Sequence, residues 1–217
     1  MHGTDVIPYR TAPQSGDSPV RIIRVRRAHV ARSLRVGVAM LAALSGVVIN
    51  AHNALAQDAF VLSSTNLRNS GSVAAPQIFN QDSCTGGNRS PQLTWRNAPP
   101  GTRSYAVTIF DPDASSRGWW HWAVANIPAR VNTLPENASA SGALGKLGAI
   151  EARNDFGDEG YGGPCPPPGK PHRYVVTLYA LKVDKLALVA GRPATMFEHE
   201  IEDAMLGSAK LTVTYGR

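Results

Sequence analysis

Residues Trp119–Ile127 read WWHWAVANI, nine residues with no Lys, Arg, Asp, Glu, Gly or Pro among them. Aromatic and β-branched side chains at that density favour a strand, and the lack of polar alternation predicts one covered on both faces. Two more runs share this character, Ser104–Phe110 (SYAVTIF) and His172–Leu181 (HRYVVTLYAL). Leu93-Thr94-Trp95 is a shorter candidate, closed by the turn signal Asn97-Ala98-Pro99-Pro100-Gly101. Gly148–Asp155 alternates weakly, and Leu211–Tyr215 (LTVTY) reads as a last strand. One stretch is helical: Thr195 and Glu198 fit a capping box, in which each side chain caps the other's backbone amide. Phe197, Ile201, Ala204 and Met205 then recur at helical spacing, with Gly207 as the stop. Strands outnumbering one late helix predict a mainly β fold, a sandwich with peripheral helices, as one domain over 57–217.

The net charge of +6 invites an acidic partner until it is divided along the chain. Residues 1–56 carry seven Arg against two Asp, and 57–217 carry fifteen Lys plus Arg against fourteen Asp plus Glu. The body is therefore near neutral, which argues against a nucleic-acid partner. Residues 1–20 are polar and aperiodic and read as disordered. A basic stretch from Arg21 to Arg35, an uncharged run of 14 residues from Val36 to Ile49, and the triplet Ala54-Leu55-Ala56 follow. These are the three parts of a secretory signal peptide, cleaved before Gln57. The apolar run is shorter than the roughly 20 residues a spanning helix needs, which argues against a membrane anchor. Arg26-Arg27 hints at twin-arginine export, although His29 stands where a bulky apolar residue is wanted. Export, to a periplasmic or extracellular space, would put Cys84 and Cys165 in an oxidising compartment. There they are a disulfide candidate, with two separate buried thiols as the alternative.

Two loops hold the chemistry. Asp111-Pro112-Asp113-Ala114-Ser115 follows a strong strand directly, and in extended backbone residues i and i+2 share a face, so Asp111 and Asp113 can point the same way. Carboxylates there need a positive or protonated partner if buried. The plainer reading is a solvated Asx turn. In Trp119-Trp120-His121-Trp122 the same alternation puts Trp119 and His121 on one face and Trp120 and Trp122 on the other. Gly160 to Gly169 contains four Gly and four Pro, too many for regular structure. Glycines admit a ligand to the backbone amides and prolines hold a loop stiff, although a rigid connector has the same composition.

Taken together, D-P-D-A, G-W-W-H-W-x-V-x-N-I-P, Y-G-G-P-C-P-P-P-G-x-x-H-R-Y and the segment Cys84–Trp95 resemble the signature blocks of the phosphatidylethanolamine-binding family in its bacterial, Raf-kinase-inhibitor-like branch. The resemblance spans nearly all of 60–217 in the family's order. It implies a two-sheet antiparallel β-sandwich with a ligand pocket at one end. It also implies that Asp111, His121, Gly163, Pro164, His172 and Tyr174 lie at that pocket, with Asp113 and Trp119 in the surrounding motif positions. It places Cys84 and Cys165 in loops at the pocket rim. Ser115 departs from the family's D-P-D-A-P, which puts ligand preference rather than fold in doubt.

The inventory reads first as a binding or inhibitory module. His172, the Tyr174 hydroxyl and amides near Gly163 would donate to a phosphoryl or carboxylate group, while Asp111 orients a His or meets an ammonium. Repulsion between a phosphate and two ionised carboxylates favours a zwitterion, such as a phosphoethanolamine-like head group, over a simple anion. The alternative is a hydrolase with Asp111 and His121 as base and orienter, but no G-x-S-x-G nucleophile turn is present. Two Asp and two His could hold a metal; the resemblance implies none, and no cofactor. The protein partner is open, a homodimer included. Amino-terminal sequencing of the exported protein should begin at Gln57, and residues upstream of Val36 in that product would contradict the cleavage site.

Overall fold

The structure, a computed structural model, describes residues 58–217. The leader, its cleavage site and Gln57 lie outside the described residues. Two antiparallel sheets face each other. The smaller has the order β1-β2-β5, from β1 (Val61–Ser63), β2 (Leu93–Arg96) and β5 (Thr133–Leu134). The larger has the order β6-β4-β3-β7-β8, from β3 (Ser104–Asp111), β4 (Trp119–Pro128), β6 (Ile150–Glu151), β7 (His172–Leu181) and β8 (Met205–Tyr215). Two helices accompany them, α1 (Ala143–Leu147) and α2 (Ala194–Ala204).

The three apolar runs became the centre of the larger sheet because both of its faces are covered. Tyr105, Val107 and Ile109 of β3 enter the core between the sheets with Leu93, Trp95, Val124, Val176, Leu178, Leu211 and Val213. The opposite face packs on α2, where Ala106, Ala123, Ala125 and Trp120 meet Phe197, Ile201 and Ala204. Three alanines on that face leave room for the helix to approach the strands closely.

Several local expectations fail for physical reasons. The strand expected over Gly148–Asp155 shrinks to Ile150–Glu151, which pairs with Val124 and Ala125. The capping box does not form: Pro193 precedes the helix, no side chain caps it, and Thr195 lies within the first turn. The first free amide, of Ala194, donates instead to the Arg153 carbonyl at 3.1 Å. The helix ends at Ala204, not at Gly207. Met205, expected on the apolar face, is 41% exposed and opens β8. β8 starts six residues earlier than expected because β7 pairs with it from Leu181↔Met205 to His172↔Tyr215. Pairing along β7, irregular only at Leu206, outweighs the local preference of Gly207 to break structure.

Cys84 and Cys165 are joined, with Cα atoms 6.0 Å apart. The bridge ties the loop following the short 3-10 turn Ala75–Gln77 to the Gly-Pro loop. Closing a loop of sequence separation 81 limits the unfolded chain by about 4 kcal/mol in the chain-entropy account. The double variant Cys84→Ser/Cys165→Ser should therefore lose up to that much stability in denaturant unfolding. An unchanged midpoint would show that the two loops hold each other without the bridge.

Candidate ligand-binding site

The site begins with a bulge. Phe110 pairs with Trp120 and Ile109 with Trp122, which leaves His121 without an opposite residue. An extra residue in one strand turns the side chains that follow to the other face. The expected alternation is therefore overturned: Trp120 packs towards α2 and Trp122 enters the core between the sheets. His121 is freed to face a cavity of about 400 Å³ where β3 ends and β4 and β7 begin. Asp111, Trp119, His121, His172 and Tyr174, all expected at a site, line it together.

Asp111 is 2% exposed, and both of its carboxylate oxygens have partners. Oδ1 accepts the Asp113 amide at 2.8 Å, and Oδ2 accepts Nδ1 of His172 at 2.8 Å. That bond leaves Nε2 as the remaining polar atom of His172. The acid–imidazole pair is thus with His172, not with His121 as the hydrolase reading required. His121 donates from Nδ1 to the Gly162 carbonyl at 2.7 Å, so Nε2 carries its lone pair. Burial pushes this imidazole below its ordinary pKa, against the opposing pull of the Gly162 carbonyl. Tyr174 is 1% exposed, and its hydroxyl has no partner among the described residues. Burial, helped by the Asp111 charge, pushes its phenol well up, which keeps the proton in place as a donor. The Trp119 indole N–H is a second buried donor without a partner among the described residues.

Three expected residues stand outside this lining. Asp113 does not share the face of Asp111, because the chain leaves the strand at Asp111 and turns. Its carboxylate takes the Arg173 guanidinium at 2.7 and 2.8 Å and the Arg173 amide at 2.9 Å. Those bonds, the guanidinium's first, hold it far below the usual carboxylate range. Gly163 offers no amide to a ligand, since its N–H donates to Asn88 Oδ1 at 2.8 Å. A Cβ there would collide with the Gln77 carbonyl and come 2.5 Å from the Phe79 nitrogen. Pro164 accepts the Phe79 amide at 3.2 Å. These two residues are scaffold for the cavity wall.

Sequence reasoning missed Asp82, Asp155 and Phe156, which do line the cavity. Asp155 is locked to β4 by a reciprocal pair: its amide donates to the Trp120 carbonyl at 2.9 Å, and its Oδ2 accepts the Trp120 amide at 2.8 Å. The Phe156 ring stacks on Phe79 at 4.1 Å and meets Trp119 and His121 edge-on at 5.3 and 5.5 Å. The turn composition Asn154-Asp155-Phe156-Gly157 was the only available signal, and it is common to many loops.

A two-sheet sandwich with a His- and Asp-lined cavity at the strand ends is the architecture of a small-ligand-binding protein. The model of the phosphatidylethanolamine-binding protein family matches residues 66–216, and the chain belongs to that family. It is 40% identical over 160 residues to the UPF0098 protein YbcL of Escherichia coli, a match covering 72% of this chain and 87% of the relative. It is 36% identical over 155 residues to YbhB of the same organism, covering 71% and 98%. The crystal structure of YbcL, described as a new member of the mammalian PEBP family, superimposes with a TM-score of 0.71 at 39% identity, covering 73% of this chain and 98% of that one.

The depressed pKa of His121 has a measurable sign. The unfolded chain gains a proton near pH 6.5 that the folded imidazole resists, so stability is lost as pH falls through that value. His121→Asn keeps a donor for Gly162 but cannot titrate. Its unfolding free energy should fall less steeply than the wild type's between pH 7 and 5, and equal slopes would refute the assignment.

Proposed function

We propose that this chain is an exported binding or inhibitory module for a small ligand carrying a phosphoryl or carboxylate group, with a phosphoethanolamine-like zwitterion fitting best. The Tyr174 hydroxyl carries the reading. An unpaired buried hydroxyl costs about 1–3 kcal/mol, and a ligand oxygen in the cavity removes that deficit. The Trp119 indole N–H offers a second donor to the same group, and His172, oriented by Asp111, offers its Nε2. Such donors recognise acceptor oxygens whether the ligand is phosphorylated or carboxylated. Export is supported by the leader pattern and by the Cys84–Cys165 bridge, which suits an oxidising compartment.

Calorimetric titration with phosphoethanolamine and with inorganic phosphate tests this. Tyr174→Phe should weaken both by roughly two- to tenfold, the loss of one neutral hydrogen bond. His172→Ala should weaken both by roughly ten- to a hundredfold, as for a charge-assisted one. No binding of either compound to the wild type would end the reading. Turnover of a phosphodiester that disappears in His172→Ala would replace it with hydrolysis.

A further inference from the structure

We infer that the mouth of this cavity is a cation-selecting subsite, in which Asp82, Asp155 and the Phe156 ring receive the ammonium of a ligand whose acceptor end meets Tyr174. The inference rests on the binding reading above and assigns the ligand's second end. Asp111 is the poorer partner for the ammonium, being 2% exposed and already engaged with the Asp113 amide and His172, and Asp113 stands outside the lining, paired with Arg173. Asp82 and Asp155 remain. Both line the cavity and both are exposed. Asp82 makes no side-chain hydrogen bond among the described residues, and Asp155 uses only Oδ2, for Trp120.

The backbone that carries the two carboxylates is held in place without a ligand. Asp82 and Ser83 sit in a left-handed turn, at φ 52° and 69°, a conformation that a short polar side chain tolerates. The nearby Cys84 is bonded to Cys165, which also lines the cavity. On the other side, Asn154 fixes the Asp155–Phe156 turn: its Oδ1 accepts the Phe156 amide at 2.9 Å, and its Nδ2 donates to the Gly160 carbonyl at 3.0 Å. The Phe156 ring, packed on Phe79 and Trp119, lines the same cavity as the carboxylates and adds an aromatic surface that suits a cation. Among the described residues no Lys or Arg lines the cavity. Arg217 reaches the wall from outside, with Nε on the Pro166 carbonyl at 2.6 Å and Nη1 on the Ser83 carbonyl at 3.2 Å.

The cavity is therefore polarised. Unpartnered donors lie among its buried residues, and carboxylates lie at its exposed rim. A simple dianion satisfies the first and is repelled by the second, whereas an ammonium-bearing phosphate ester satisfies both. The same chemistry occurs in a free head group and in a lipid.

Calorimetry at low salt should show phosphoethanolamine binding about tenfold tighter than inorganic phosphate, if each rim carboxylate contributes as a partly exposed ion pair. Asp82→Asn and Asp155→Asn should each cut that preference roughly threefold, leave phosphate binding equal or tighter, and reproduce the effect of added salt on the wild type. Asp82→Asn lies on an exposed turn, so it decides the matter alone if Asp155→Asn destabilises the fold. An undiminished preference in Asp82→Asn and in the double variant, with phosphate binding intact, overturns the subsite and spares the binding reading. Failure of the wild type to bind phosphate or phosphoethanolamine overturns both. Binding to phosphoethanolamine but not to phosphatidylethanolamine vesicles assigns the subsite to free head groups. Vesicle binding that the Asn variants weaken extends it to lipid.

Discussion

A carboxylate buried at the end of a strand must have both oxygens satisfied, and Asp111 meets that requirement in a way that organises everything around it. One oxygen draws in the amide of Asp113, which bends the chain sharply out of β3. The other takes a ring nitrogen from the first residue of the neighbouring strand β7. The first contact turns the Asp113 side chain out to Arg173. The second fixes which nitrogen of His172 remains for the cavity. Burial, helped by this negative charge, pushes the Tyr174 phenol up and so keeps its proton. Removing this group would disturb a turn and a tautomer together.

The surrounding loops act as a frame. Gly162 and Gly163 donate their amides to His121 and Asn88, Tyr161 donates its hydroxyl to the Gln77 carbonyl at 2.7 Å, and the prolines have no amide to offer. The Gly-Pro loop thus spends its hydrogen bonds inside the protein, and the donors left for a ligand come from side chains on strands. Strand-borne groups hold their positions better than loop-borne ones, which suits recognition by a few donors of fixed direction.

Much of this was legible in the sequence. β3, β4 and β7 are unbroken apolar runs because both faces of their sheet are covered, so their limits fell within a residue of those read. The spacing of Phe197, Ile201 and Ala204 marked α2 for the same reason. What escaped is nonlocal. The amide of Ala194 is capped by a carbonyl some forty residues earlier in the chain, at Arg153, which no local motif announces. The bulge at His121 depends on how two strands are paired, and a period of two cannot reveal an extra residue. Gly163 is required where one backbone crosses another, and in sequence this is indistinguishable from a glycine that admits a ligand. Asp82 stood in no motif and Asp155 closed a weak strand candidate, and only the fold brings their loops to one cavity.

The bulge also bears on how the chain can vary. Between the pairs Phe110↔Trp120 and Ile109↔Trp122 the strand carries one residue more than its partner. Deleting that residue would restore a regular ladder and remove one of the cavity's two imidazoles in one step. Inserting another would rotate the ring of Trp122 out of the core. Exchanges of side chain within this stretch disturb only local packing, whereas a change in its length resets every residue on one side of it. The number of residues between Trp120 and Trp122 therefore sets which face each later side chain takes, whatever the identity of any one of them.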